Sequence, residues 1–189
     1  MSIQSKIKNY IARYAPSYKK LFTYLEKKRV EDPKDFIAKI GYKETMMLDA
    51  WLNTFINQGK SIQEIKIKLY KKEFEKENIE KYVNMYISHL QDWVQYEEKI
   101  RQKIETFIYR KKSQKEIQML LQGQFPYFSE EIKEILPEYN DNSSFDFYVQ
   151  KYAIKYNTET FEGKQKYIQA LMRRGFEYKK IQDSLDKDL

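Results

Sequence analysis

The chain has 189 residues, enough for one domain or for an array of small units sharing a continuous core. It has no cysteine and a single histidine, His89, which excludes a disulfide framework, a thiolate metal site and an imidazole site built by histidine alone. The net charge of +7 is confined to residues 1 to 29, where eight cations meet one anion, while the other 160 residues hold 27 charges of each sign. A local basic field of this kind either attracts phosphates or an acidic protein surface, with strong salt dependence, or is a solvated helix face.

Along the chain, MSIQSKIKNY alternates charge with single apolar residues. It lacks the apolar run of a signal peptide or a membrane span, and no later stretch reaches that length, so a cytoplasmic location without a membrane partner is expected. A helix is expected from Ile7 to Ala15, followed by a Ser17 cap, apolar Leu21 and Leu25 four apart, and bulky Val30. Asp32 before Pro33 places a capping carboxylate ahead of proline at the first helical position. Tyr10, Tyr14, Tyr18 and Tyr24 lie among the cations, a mixture that serves interhelical packing or the stacking of bases.

The same offsets return downstream. A leading helix from Met46 to Asn57, carrying Trp51, precedes Ser61, Ile65, Leu69 and Phe74, and Glu64 completes a capping box with Ser61. The next helix begins near Lys76, with Ile79, Tyr82, Val83, Tyr86, Ile87 and Leu90 at helical spacing. A helix from Trp93 to Tyr109 precedes Ser113, Ile117, Leu121 and Phe125, one residue shorter before Pro126, with Glu116 completing a second box. Ser129 ahead of Glu130 and Glu131 reads as a further cap. A polar stretch from Tyr139 to Ser144 is the best linker, with Gly41 to Lys43 second. The last segment has a helix from Phe145 to Tyr156, then Gly163 in the cap place, Tyr167, Leu171 and Phe176, and a final helix near Tyr178. All five glycines, Gly41, Gly59, Gly123, Gly163 and Gly175, fall where periodicity breaks, as at helix ends.

These matches define an all-α chain, expected to form an elongated array of about four tandem three-helix repeats over residues 1–43, 44–92, 93–139 and 145–189, read together as one modular domain. Trp51 and Trp93 are expected core anchors, and His89 a satisfied or surface histidine. Glu97-Glu98 and Glu130-Glu131 are neighbours splayed by about 100° on a helix and form no acid/base dyad. There is no P-loop, dinucleotide fingerprint or HExxH motif, so a binding protein without a cofactor is expected rather than an enzyme.

Three stretches carry a resemblance. LDAWLNTFINQGKSIQEIKIKLYKKEF (48–74), ARYAPSYKKLFTYLEKK (12–28), and FDFYVQKYAIKY followed by GKQKYIQALMRRGFEYKKIQDSL (163–185) together resemble the RecX family of regulatory proteins, small bacterial proteins of tandem three-helix repeats. Arg173-Arg174-Gly175-Phe176 is the most specific element. The chain departs from the family pattern where Lys20 replaces a capping glutamate, Glu73 replaces a glycine before Phe74, and Gln122-Gly123-Gln124 replaces basic residues. The resemblance implies binding to the RecA recombinase filament on single-stranded DNA and modulation, as an inhibitor, of recombination and the SOS coprotease; with no long heptad seam in the sequence, a monomer is expected.

The candidate partner- or DNA-binding residues are Lys19, Lys20, Lys27, Lys28 and Arg29 in the basic field, Lys60, Lys68, Lys71 and Lys72 around the second capped helix, and Lys164, Arg173 and Arg174 in the last segment. Lys68, Lys71 and Lys72 share a helix face that is either a contact strip or a solvated one, and Arg173 and Arg174 either grip carboxylates or phosphates or complement a helix dipole. The alternative is a helix-turn-helix-like module that reads nucleic acid without RecA.

Overall fold

A computed structural model of the chain describes residues 2–187, and every regular element among them is helical. Positions 1, 188 and 189, the outer ends of the first and last expected segments, lie outside the described residues. The chain divides into two compact units that meet in sequence at Asp92 and Trp93.

The N-terminal unit contains α1 (Ile3–Tyr14), α2 (Tyr18–Lys27), α3 (Pro33–Lys39), α4 (Glu44–Asn57), α5 (Ile62–Lys71), α6 (Lys76–Met85) and the single turn α7 (Ile87–Leu90). Ser17, Ser61 and Asp32 each accept a backbone N–H three residues on, from Lys20, Glu64 and Asp35, and Glu64 returns the bond to Ser61. Helix ends are equally local. At α2, α3, α4 and α5 a residue with positive φ (Arg29, Gly41, Gly59, Glu73) follows the last turn. The next N–H in each case reaches back five residues, as Val30 does to Leu25 and Phe74 to Leu69. The apolar positions four apart face inward: Leu21, Leu25, Ile65 and Leu69 are buried, together with Ile7, Leu48, Leu52, Phe55, Phe74 and Ile79.

In the C-terminal unit the order is α8 (Trp93–Tyr109), α9 (Gln114–Gln124), a 3-10 turn (Pro126–Phe128), α10 (Ser129–Ile135), α11 (Asn142–Lys155), α12 (Phe161–Arg173) and α13 (Tyr178–Lys187). Ser113 and Glu116 form the second capping box. Ile117, Leu121 and Phe125 are buried, and Phe145, Tyr148, Tyr167, Leu171, Phe176, Ile181 and Leu185 form a continuous cluster.

Three sequence expectations are corrected. Ser129 does not cap α10; it is the first helical residue, its Oγ donates to the Pro126 carbonyl, and the preceding 3-10 turn leads the chain directly into the helix. Gly163 is not a cap either. Helix α12 starts one turn earlier, where Thr160 Oγ1 accepts the Gly163 N–H at 3.1 Å. Gly123 lies in the last turn of α9, at a helix end as expected. The stretch from Tyr139 to Ser144 is no slack linker: it lies within the C-terminal unit, Asn142 already belongs to α11, Ser144 is fully buried, and Asp141 is held from two sides. Trp51 and Trp93 are half-buried, each packed on a buried phenylalanine, Phe55 or Phe128, and His89 is exposed.

Gly163 is required by close approach, because a Cβ there would lie 1.8 Å from the Asn157 carbonyl oxygen. Gly163→Ala should therefore destabilise the C-terminal unit by at least about 2 kcal/mol in chemical denaturation. Arg29→Gly should do the opposite. The left-handed backbone of Arg29 (φ 58°) suits glycine, so a gain of about 0.5 to 1 kcal/mol is expected after the entropy of the unfolded chain is included.

Candidate partner-binding surface

The twelve candidate cations separate into those held by the fold and those left facing water. Three sit at equivalent places, each closing a helix: Lys28 at the end of α2, Lys72 at the end of α5 and Arg174 at the end of α12. Each lies over an aromatic ring of its own unit. The Lys28 ammonium is 5.5 Å from the Tyr24 ring centre, that of Lys72 is 3.3 Å from Trp51, and the Arg174 guanidinium is 4.6 Å from Tyr148. Trp51 is fixed in turn by donating its indole N–H to the Ala15 carbonyl at 2.8 Å. Burial, with Lys20 and Lys68 nearby, pushes the Lys72 ammonium below the ordinary lysine range. Arg174 moves the other way: it donates to the Tyr152 hydroxyl at 3.3 Å, which with the nearby Glu116 carboxylate at 3.8 Å holds its guanidinium firmly protonated.

Residues far apart in sequence are brought together in the N-terminal unit. Lys19 and Lys20 of α2 reach Glu73 at 3.2 and 3.8 Å, and the Lys20 ammonium also donates to the Lys71 carbonyl at 3.1 Å. These pairs are solvent-exposed and contribute at most about 1 kcal/mol each. They set geometry more than stability. Lys68 lies over the edge of the same region, 5.7 Å from the Phe55 ring centre. The Lys27, Arg29 and Lys71 side chains are exposed. Lys60 is half-buried behind Gly59, its N–H closing α4 onto the Phe55 carbonyl. In the C-terminal unit Lys164 is half-buried in α12, whereas Arg173 is exposed and bonded only to Gln169 one turn back, at 3.4 Å.

Beneath these cations lies a junction of the same construction in both units. Glu44, the first residue of α4, accepts the Tyr18 N–H at 2.7 Å with one oxygen and the Asn78 amide at 3.3 Å with the other. Asp141, at the start of α11, accepts the Gln114 N–H at 3.1 Å and the Lys180 ammonium at 2.7 Å. Tyr18 and Gln114 each follow the serine cap, and Asn78 and Lys180 each stand four residues after the bulky Phe74 or Phe176. Ser113 does more than its counterpart, because its hydroxyl also donates to the Arg174 carbonyl at 2.5 Å. Glu44, Asp141, Trp51 and Tyr148 are absent from the sequence-derived candidates. The one signal for the first two is a carboxylate two residues after a tyrosine, Tyr42 or Tyr139, ahead of a leading helix.

The adjacent carboxylates are engaged separately: Glu97 with Arg101 at 2.9 Å, Glu98 with Gln102 at 3.0 Å, and Glu130 with Lys133 at 3.7 Å. Among the described residues no group of three or more histidine, cysteine or acidic side chains is placed to hold a metal ion, and no helix is long and apolar enough to cross a membrane. Comparison with protein-family models, curated proteins and solved structures finds no match to this chain.

Because the Asp141 side chain is only 13% exposed, Asp141→Ala would strand the Gln114 N–H and leave Lys180 without its carboxylate. A loss of about 1 to 3 kcal/mol is expected in urea denaturation of the full chain. Glu44→Ala should shift the midpoint in the same direction.

Proposed function

We propose that this chain is a RecX-like regulator that acts by binding, built from tandem three-helix units and directed at the RecA filament on single-stranded DNA. In this reading it is a cytoplasmic monomer that inhibits recombination and the SOS coprotease without catalysing a reaction itself. One observation carries the proposal. The Arg173-Arg174-Gly175-Phe176 element, the most specific part of the resemblance, occupies the same structural place as Lys71-Lys72-Glu73-Phe74. In both, the second residue lies over an aromatic ring of the leading helix and the third has positive φ. The fourth is buried in both. That recurrence is what a family of repeats with a shared turn requires.

It also divides the labour within each basic pair. The second cation is committed to its aromatic ring, so the first, Lys71 or Arg173, is the one available to a partner's carboxylates. Lys19, Lys27 and Arg29 extend the same kind of surface in the first segment. The helix-turn-helix alternative is weaker, because a recognition helix reads bases with an open N-terminal turn. In α2, α5 and α9 that turn begins at a buried serine, and in α2 and α9 it is also met by Glu44 or Asp141.

The test is titration of the purified chain into RecA assembled on single-stranded DNA. ATP hydrolysis should fall at substoichiometric amounts of the chain, and an unchanged rate across a wide titration would overturn the proposal. Arg173→Gln should weaken the effect several-fold with little change in melting temperature. Arg174→Gln, by contrast, should lower the melting temperature of the C-terminal unit.

A further inference from the structure

The basic field of residues 1 to 29 has an aromatic centre that the RecA reading does not use. Helix α1 carries Lys6, Lys8 and Arg13 and no acidic residue. Its Tyr10 ring lies parallel to Tyr24 of α2, with centres 3.9 Å apart and planes within 1°, and Tyr14 tilts against Tyr10 at 5.2 Å. Tyr10 and Tyr24 are half-buried at the edge of the core formed by Ile7, Leu21, Leu25 and Ile37. Tyr14 keeps 53% of its surface open. The three rings line an open cleft of about 950 Å³, bordered by Lys6, Asn9 and Arg13. Lys28 sits above Tyr24 from the far end of α2.

Core packing alone does not account for this arrangement. Packing places Tyr10 and Tyr24 at the core edge, but it requires neither the exposed Tyr14 ring beside them nor a segment whose cations outnumber its anions eight to one, unlike the remainder of the chain. Here the aromatic faces open onto a surface whose nearest sequence neighbours are almost all positive, with Glu26 the single anion among the first 29 residues. Tyr10 is held as the neutral phenol, its pKa raised first by burial and then by Tyr24 and Tyr14, so the cleft gains no negative charge near neutral pH.

We infer that the α1–α2 cleft is a stacking site for single-stranded nucleic acid, in which exposed Tyr14 receives a base and Lys6 and Arg13 hold the flanking phosphates. A π-face serves any base, so the site is sequence-tolerant, and paired bases inside a duplex do not present the face it needs. The cations confer salt dependence. This binding requires no RecA and uses a surface distinct from the C-terminal Arg173 element, so it stands or falls independently of the proposal above.

The experiment is fluorescence anisotropy of labelled oligothymidylate and oligouridylate of about 20 nucleotides with the full chain alone, at low and moderate salt. The expected result is binding of at least one of the two, with the corresponding duplex bound more weakly. Tyr14→Ala should lower affinity roughly five- to a hundred-fold and Tyr14→Phe should restore it, since stacking needs the ring and not the hydroxyl. Tyr14 is exposed, so both variants should keep the wild-type circular dichroism spectrum. Arg13→Gln should flatten the dependence of affinity on salt by roughly 0.7 in logarithmic slope. No binding at low salt, equal or tighter binding of duplex, or a Tyr14→Ala chain that binds as wild type would each overturn the inference. Displacement of the oligonucleotide by polyglutamate at matched charge would also overturn it, by assigning the surface to an acidic protein.

Discussion

Ser17, Ser61 and Ser113 are buried at helix starts, where the first backbone N–H groups have no partner within their own helix. The serine oxygen takes one of them in each case. In α2 and α9 the following N–H is taken by Glu44 or Asp141, which comes from the beginning of a helix more than 25 residues later in the chain. The carboxylate thus binds α4 to α2, or α11 to α9, and its second oxygen binds a third helix, α6 or α13, through Asn78 or Lys180. Packing of the apolar positions four apart supplies most of the burial. The polar junction adds direction to that packing, because the N–H and the carboxylate of different helices meet in this docking.

That constraint also explains why a count of cations misjudges the binding surface. The turns after α5 and α12 come close to a neighbouring helix, and the cation that closes each of the two is drawn over an aromatic ring there. Lys72 on Trp51 and Arg174 on Tyr148 are the two cases joining separate helices. A second difference lies one residue further on. Glu73 projects a side chain that ties Lys19 and Lys20, whereas Gly175 has none and allows the Arg174 carbonyl to reach Ser113; a Cβ on Gly175 would meet the Ser113 oxygen at 2.8 Å. The ion pairs differ as well: Lys20 meets Glu73 in one unit, whereas in the other Glu116, three residues after its serine as Lys20 is, meets Arg174, at the place of Lys72 rather than of Glu73. The cap and the leading-helix carboxylate recur, and the surface ion pairs around them do not.

Most of the helical framework was legible because its signals are short-range. A cap, a proline at the first helical position and a bulky residue after a helix all act within about five residues, and the starts at Pro33, Lys76, Trp93 and Tyr178 follow from them. The failures have equally local causes. Gly163 stands where a cap would align with Ser17, but Thr160 supplies a better one a turn earlier, and the glycine is there to admit the Asn157 carbonyl. Ser129 follows a 3-10 turn whose Phe128 already occupies the cap place. The candidate cations were legible as charges but not as contacts. Lys72 and Trp51 stand 21 residues apart and Arg174 and Tyr148 26, and no pattern within a single helix joins them.

The tyrosines show where composition alone misleads. Seventeen of them in 189 residues read as core, yet three are buried, Tyr96, Tyr148 and Tyr167. A phenol ring buried in a small helical core must still place its hydroxyl, so a core built on tyrosine tends to bring its rings to the protein edge, where the oxygen meets water or a carbonyl. Tyr42 follows this rule, its hydroxyl bonded to the Pro16 carbonyl. Tyr10 and Tyr24 follow it too, but at their edge the neighbouring charges are positive and the next ring, Tyr14, faces outward. The same packing demand that fills the core thus leaves an aromatic face beside cations at one place, and the charge segregation into residues 1 to 29 turns that face from a by-product of packing into a surface with a chemical preference.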